Sequence, residues 1–108
     1  MNWLHIQSEL DLEKALASSD KVAIFKHSTR CPISSMAKHR LEISWKENLP
    51  HTSIYYLDLI RFRSISNLVA EKLDVPHQSP QLIVVENGSA IYNVSHSSIS
   101  TKEIAKHI

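Results

Sequence analysis

The order in which strand-like and helical patterns alternate constrains the fold of this chain more than any other feature. Short runs rich in strand-forming residues lie at Trp3–Ile6, Val22–His27 and Ile54–Leu59, and a helical pattern follows each run. Strands that are joined through a helix run parallel, because the crossover brings the chain back to the same end of the sheet. This part of the chain therefore predicts a β-α-β-α-β-α series with parallel strands.

The remainder of the chain predicts an antiparallel hairpin and a closing helix. Asn87-Gly88, which contains the only glycine, separates the strand-like runs Leu82–Val85 and Ala90–Val94. Asn-Gly between two such runs is the strongest short-range sign of a hairpin with a type I′ turn. Ser100–Glu103 then matches the capping box that starts a helix, with apolar residues at both staple positions around it.

Two earlier helices also have recognisable limits. Ser8–Asp11 matches a capping pattern, so the first helix should begin there and end near Ser19-Asp20. Pro32 suits the first position of a longer helix, and Pro50 stops that helix because proline has no N–H to donate. The apolar side that this longer helix is expected to bury carries Ile33, Ala37, Leu41 and Trp45.

These elements together predict an α/β fold of the thioredoxin-like type. The expected order is (β)αβαβα-ββα, with a central mixed sheet flanked by helices. The chain has 108 residues, which suits one domain and is too short for two, so residues 1–108 are expected to form a single domain. In this fold a reactive cysteine follows the strand before the long helix, where Cys31 lies. A cis-proline opens the first hairpin strand, where Ser79-Pro80 lies.

Cys31 is the only cysteine of the chain, and its position predicts a reactive thiol. It follows a strand-like run and a short polar segment, and it directly precedes Pro32 at the start of the long helix. The first N–H groups of a helix have no intrahelical partner, and together with the helix dipole they favour a thiolate over a thiol. Arg30 is adjacent, and Lys26 and His27 lie upstream, so each of these three basic residues is a candidate to support the site.

The absence of a second cysteine predicts a monothiol reaction. Two-cysteine oxidoreductases carry a resolving thiol three residues after the first, and here that place holds Ser34. A hydroxyl cannot form a disulfide, so an external thiol has to resolve any mixed disulfide formed on Cys31. Ser34, one turn into the helix, is positioned to hydrogen-bond the Cys31 sulfur. The missing N–H of Pro80 and the backbone of Ser79 predict a place where an extended incoming chain can pair.

Charge and composition argue against several other functional classes. Twelve basic and eleven acidic residues give a formal net charge of +1, so neither a nucleic acid nor a membrane is an expected partner. No apolar stretch is long enough to span a bilayer. The start of the chain lacks the pattern of an export signal, and a single cysteine suits a reducing compartment, so a cytoplasmic location is expected. The seven histidines show no paired metal-ligand spacing, so no metal site is expected.

The segment Lys26–Ser34 resembles the active-site segment of the YtxJ family. Members of this family are thioredoxin-like proteins of the bacillithiol system and are also described as monothiol bacilliredoxins. The family pattern is Lys-His-Ser-Thr, one variable residue and then Cys-Pro-Ile-Ser, and Arg30 fills the variable place. Further matches follow in the same order along nearly the whole chain, at Tyr55–Leu57, Ser79–Gln81, Asn87-Gly88 and Ser95–Ser97.

The resemblance implies a small thiol-disulfide oxidoreductase that removes bacillithiol from protein mixed disulfides. Its partners would be S-bacillithiolated proteins and bacillithiol, which serves as a thiol co-substrate, and no bound cofactor is implied. Two alternatives stay open: a non-catalytic thioredoxin-like module that holds partners at Ser79-Pro80, and a redox sensor whose thiol is oxidised and capped. The residues leave the oligomeric state open. In this interpretation Cys31 is the nucleophile, Ser79 and Pro80 bind substrate, and the supporting residues are Pro32, Ser34, Arg30, His27 and Lys26.

Overall fold

The computed structural model describes residues 1–108, and at its centre lies a five-stranded sheet. Eleven buried apolar residues form a cluster on one face of the sheet, and twelve form a second cluster on the opposite face. The elements in chain order are β1 (Trp3–His5), α1 (Glu9–Leu16), β2 (Val22–His27), α2 (Pro32–Asn48), β3 (Ser53–Asp58), α3 (Arg63–Leu73), β4 (Gln81–Glu86), β5 (Ser89–Ser95), a 3₁₀ turn (His96–Ser98) and α4 (Thr101–Ala105).

The sheet is mixed, as the sequence predicts. Its strands lie in the order β1-β3-β2-β4-β5. β1, β3 and β2 run parallel, whereas β4 is antiparallel to β2 and β5 is antiparallel to β4. Helices α1 and α2 connect the parallel strands, and the tight hairpin connects β4 to β5. β4 runs antiparallel to β2 because the segment after α3 starts it at the carboxyl end of β2, where Gln81 pairs with Lys26. The predicted thioredoxin-like α/β fold is confirmed.

The central strand β2 divides the core into two apolar clusters. Every residue of β2 is buried, and alternate side chains point to opposite faces of the sheet. Ile24 packs in the cluster that α1 and α3 cover. Ala23 and Phe25 pack in the cluster that α2 and α4 cover. Because both faces of β2 are covered, packing on both sides positions the end of the strand, where the chain turns towards Cys31.

Local signals fixed several boundaries correctly. Ser8 caps α1, since its Oγ accepts the Asp11 N–H at 3.1 Å. In the hairpin turn Asn87 and Gly88 have φ values of 51° and 79°, and a type I′ turn requires positive φ at both positions.

The predicted end of the first helix is wrong, because the helix ends at Leu16 and not near Ser19-Asp20. Beyond it, Ser18 Oγ accepts the Asp20 N–H at 3.2 Å and so stabilises a turn in place of another helical turn.

Two predicted details of the helices are wrong. Ile33 is 54% exposed, and Ser34, which is 0% exposed, takes the inward place in α2. At 3.6 residues per turn, Ser34 lies within about 20° of Leu41 around the helix, whereas Ile33 lies about 80° away. In α4 the side chain of Ser100 makes no capping hydrogen bond. The carboxylate of Glu103 instead accepts from Lys106 at 3.0 Å, although the staple residues Ile99 and Ile104 are both buried.

Candidate active site

Cys31 lies at the junction between the loop that leaves β2 and the first turn of α2. It is the N-cap residue of that helix and is partly exposed. Its N–H donates to Ser28 O at 3.2 Å, and its carbonyl accepts the Ser35 N–H at 3.0 Å. Its side chain makes no capping hydrogen bond. The backbone on both sides of the thiol is therefore fixed, while the sulfur stays available to an incoming group.

Ser34 closes the loop that carries Cys31. Its Oγ accepts the Ser28 N–H at 3.0 Å and lies 2.7 Å from His27 Nδ1, and the side chain is 0% exposed. With one lone pair engaged by Ser28, the hydroxyl hydrogen can be donated to the imidazole nitrogen. The expected hydrogen bond from Ser34 to the Cys31 sulfur is not formed. Ser34 thus joins the two ends of the loop that carries Cys31.

His27 is a buried, neutral partner of Ser34. Its ring is 4% exposed and lies 5.7 Å from the Phe25 ring and 5.5 Å from the Tyr56 ring, measured between centroids. Burial lowers the pKa of His27, and the positive charge of Lys38 lowers it further. At neutral pH the imidazole therefore carries no charge. His27 fixes the loop, but it does not supply a cation near the thiol.

Lys38, Glu42 and Trp3 form a group of contacts next to Tyr56, whose ring packs against His27, and this group was not predicted from the sequence. Lys38 forms an ion pair with Glu42 at 2.9 Å, and Trp3 Nε1 donates to the same carboxylate at 3.0 Å. These hydrogen bonds lower the pKa of Glu42. The Lys38 ammonium also lies 5.6 Å from the centre of the Trp3 ring and 5.9 Å from that of Tyr56. The spacing of Lys38 and Glu42 was a usable signal, because side chains four residues apart meet on a helix.

The structure directs Lys26 away from the cysteine loop. Its side chain is 0% exposed, and its ammonium donates to Ser66 O at 3.0 Å and to His77 Nδ1 at 3.2 Å. Because Lys26 follows Phe25 in the strand, it points to the face that α3 covers, opposite α2. Burial lowers the pKa of Lys26 to about 8. Of the supporting residues predicted from the sequence, Lys26 is the one placed on the other side of the sheet.

Arg30 has a different environment from the other two basic residues. It is exposed in the loop immediately before Cys31, and its guanidinium takes part in none of the ion pairs or side-chain hydrogen bonds of the chain. Pro32 is likewise exposed and occupies the first helical position, as predicted. Arg30 is therefore the basic residue left free beside the thiol.

Ser79 and Pro80 lie at the same end of the sheet as the cysteine loop. The Ser79–Pro80 peptide bond is cis, as the fold type predicts. The last paired residues of β2 and β4 are Lys26 and Gln81, so the next positions place Pro80 beside His27. Pro80 O accepts the His96 N–H at 3.0 Å, and Ser79 Oγ is buried without a hydrogen-bond partner. The two segments that the sequence singled out are thus neighbouring loops.

Two wider features of the chain bear on the site. No three His, Cys, Asp or Glu side chains are grouped so that they could hold a metal ion. None of the helices combines the length and the apolar character needed to cross a membrane.

Replacing Ser34 by alanine should lower the free energy of unfolding by between about 1 and 2 kcal/mol, because the buried Ser28 N–H loses its acceptor. His27 Nδ1 loses its partner in the same variant. Urea unfolding at neutral pH measures the effect. Ser35→Ala is the matched control, since Ser35 is exposed in the same helical turn. Equal effects of the two substitutions would contradict the role assigned to Ser34.

Comparison with known families gives a match over most of the chain. The model of the family described as monothiol bacilliredoxin BrxC matches residues 4–104. This range includes the cysteine loop, Ser79-Pro80 and the hairpin. The match agrees with the resemblance noted from the Lys26–Ser34 segment.

Several solved structures share the fold of this chain. A protein described as a proposed oxidoreductase with a thioredoxin fold is 29% identical, with a TM-score of 0.86, and the match covers 96% of this chain and 91% of that one. Thioredoxin from Malassezia sympodialis is 18% identical, with a TM-score of 0.77 and coverage of 98% and 90%. Oxidised thioredoxin from Plasmodium falciparum is 14% identical, with a TM-score of 0.76 and coverage of 97% and 96%. The two thioredoxins show the fold alone, whereas the family match and the 29% identical structure support a thiol redox function.

Proposed function

The chain belongs to the monothiol bacilliredoxin BrxC family, and from this membership we propose that it removes bacillithiol from protein mixed disulfides through Cys31. The family and the thioredoxin fold support a thiol oxidoreductase of the bacillithiol system. Bacillithiol acts as a thiol co-substrate, and no bound cofactor takes part.

The proposed cycle has two exchange steps. In the first, the Cys31 thiolate attacks the bacillithiol sulfur of the mixed disulfide, the old S–S bond breaks, and the protein thiolate leaves. Cys31 then carries bacillithiol in a new disulfide. In the second, the thiolate of another bacillithiol attacks that bacillithiol sulfur, so bacillithiol disulfide leaves and the Cys31 thiolate is restored. Over the two steps, the mixed disulfide and one free bacillithiol become the protein thiol and bacillithiol disulfide, so one S–S bond is broken, one is formed, and no further oxidant or reductant is needed.

One observation carries this proposal: the only thiol of the chain lies at the start of a 17-residue helix, partly exposed. The place of a resolving thiol is occupied by Ser34, whose hydroxyl is buried and engaged with His27 and Ser28. No group within the chain can therefore attack a disulfide formed on Cys31. An external thiol is required for turnover, which is the defining property of a monothiol mechanism.

The surroundings of the thiol provide for binding as well as for attack. Arg30 is exposed next to Cys31 and is free to face a negatively charged group of the substrate. In the loop next to the cysteine loop, the backbone of Ser79 can pair with an extended segment of the protein substrate, because Pro80 offers no N–H there. In the proposal, the disulfide lies between these two loops during the exchange.

The deciding experiment is an intact-mass measurement after brief mixing with a bacillithiolated protein. The expected result is one bacillithiol on the chain and a freed thiol on the substrate, followed by loss of the adduct when bacillithiol is added. A parallel sample with glutathione in place of bacillithiol measures selectivity. An unmodified chain beside a still-modified substrate would favour the binding module. An adduct that added bacillithiol cannot release would favour the redox sensor.

A further inference from the structure

Two buried polar side chains lie side by side on one face of the sheet, at the last residue pair of β2 and β4. Lys26 in β2 and Gln81 in β4 are register partners, and they are 0% and 1% exposed. Their neighbours Phe25 and Leu82, also register partners, pack on the α2 side, so Lys26 and Gln81 lie on the side of α1 and α3. Polar groups at such a depth are costly to bury unless their atoms find partners.

Gln81 finds its partners in the segment that leads to Ser79-Pro80, which we name the Pro76–Pro80 loop. Its Nε2 donates to Pro76 O at 3.1 Å. Its Oε1 accepts the Gln78 N–H at 3.3 Å. The side-chain amide thus replaces the backbone partners that an irregular loop lacks, and it holds the loop at two points close to the start of β4.

Lys26 holds the same loop between those two points. Its ammonium donates to His77 Nδ1 at 3.2 Å and to Ser66 O in α3 at 3.0 Å, and no carboxylate forms an ion pair with it. An ammonium has only donors, so His77 Nδ1 must accept, which places the ring proton on Nε2. Partial burial of the His77 ring lowers its pKa, and the charges of Lys26 and Arg63 lower it further, which favours the neutral ring that can accept this hydrogen bond. Lys26 therefore ties the loop to α3.

We propose that Lys26 and Gln81 are positioning residues that hold the Pro76–Pro80 loop in the conformation that receives the substrate polypeptide. The inference rests on the proposed function, in which the Ser79 backbone pairs with the protein substrate. It assigns to Lys26 a role in binding the protein part of the substrate, and none in the chemistry at the Cys31 sulfur. Consecutive loop residues 76, 77 and 78 are held, and Ser79 follows them directly.

The test compares two substitutions of the exposed residue His77. His77→Ala removes the acceptor of the Lys26 ammonium, whereas His77→Asn restores one, because asparagine Oδ1 stands nearly where histidine Nδ1 does. Lys26→Met is a third variant. The probe is a short peptide whose single cysteine forms a mixed disulfide with bacillithiol. Alkylation of Cys31 by iodoacetamide measures the reactivity of the thiol alone, because this small reagent does not have to pair with the Pro76–Pro80 loop. Hydrogen exchange of the Gln78 amide reports on the loop itself.

The expected result is a rate constant with the peptide that falls between about 10- and 100-fold in His77→Ala and Lys26→Met, because a displaced loop misaligns the bound chain. His77→Asn should recover most of the rate, and alkylation should be unchanged in all three variants. Exchange of the Gln78 amide should accelerate in the two impaired variants. The inference would be overturned if the rate with the peptide were unchanged in both His77→Ala and Lys26→Met, or if the rate of alkylation fell as much as the rate with the peptide. Failure of the unsubstituted chain with the peptide would instead overturn the proposed function, and the exchange rate of Gln78 would still decide whether the loop is held.

Discussion

Replacing Cys31 by serine should abolish uptake of bacillithiol from a modified protein. A serine hydroxyl stays protonated at neutral pH and cannot form a disulfide, so the first exchange step has no nucleophile. The chain has no other cysteine, so no second thiol can take over. Intact mass of both partners after mixing is the measurement, with the substrate expected to keep its full adduct.

The substitution changes little else in the molecule, which makes the result easy to interpret. The Cys31 side chain makes no capping hydrogen bond, and its backbone contacts to Ser28 and Ser35 do not depend on the sulfur. Serine is also a favourable N-cap residue, so α2 should start as before. Thermal unfolding of the variant is the control for folding. If the folded serine variant still cleared bacillithiol from the substrate, Cys31 could not be the nucleophile.

Raising the pH from about 7 to about 9.5 should increase the free energy of unfolding by about 2 kcal/mol through Lys26 alone. Burial lowers the pKa of this lysine from 10.5 to about 8 in the folded chain. Between these two values the unfolded chain binds more protons than the folded chain, so stability rises as protons are removed. Urea unfolding at several pH values measures the slope.

Lys26→Met isolates this effect, because methionine has similar length and no charge. The difference in unfolding free energy between the two proteins cancels every other group that titrates in both. The range ends below pH 10, since burial raises the pKa values of Tyr56 and Tyr92 and so stabilises their protonated forms in the folded chain. Parallel curves for the two proteins would show that Lys26 keeps its ordinary proton affinity in the fold.

The fold was largely predictable because its signals are local. Helix caps, prolines and the Asn87-Gly88 turn act within a few residues, and they correctly indicated the order of the strands and helices. The helical period placed Ala37, Leu41 and Trp45 inside. The same period misplaced Ile33. Both Ile33 and Ser34 fit a helical spacing with the buried residues, but Ser34 is closer to Leu41 in angle around the helix axis and is therefore the buried one.

The candidate site was predictable only in part, because only some of its contacts are local in the sequence. A thiol at the start of a helix is a local arrangement, so the position of Cys31 and its lack of a resolving partner could be inferred from the sequence. The contacts of its neighbours could not. Lys26 meets His77, 51 residues away, and Trp3 meets Glu42, 39 residues away. Such pairs exist only when the sheet brings distant segments together.

By itself, then, the sequence determined the order of elements, the mixed sheet, the single thiol at a helix start and the family. The tertiary structure alone decided what the flanking polar residues do. Consecutive residues of β2 point to opposite faces of the sheet, so Lys26 joins α3 and the Pro76–Pro80 loop, while His27 joins Ser34 below Cys31. Lys26 and His27 are adjacent in the sequence but contact different parts of the molecule, because each side chain of a strand buried on both faces can contact only the elements on its own side of the sheet.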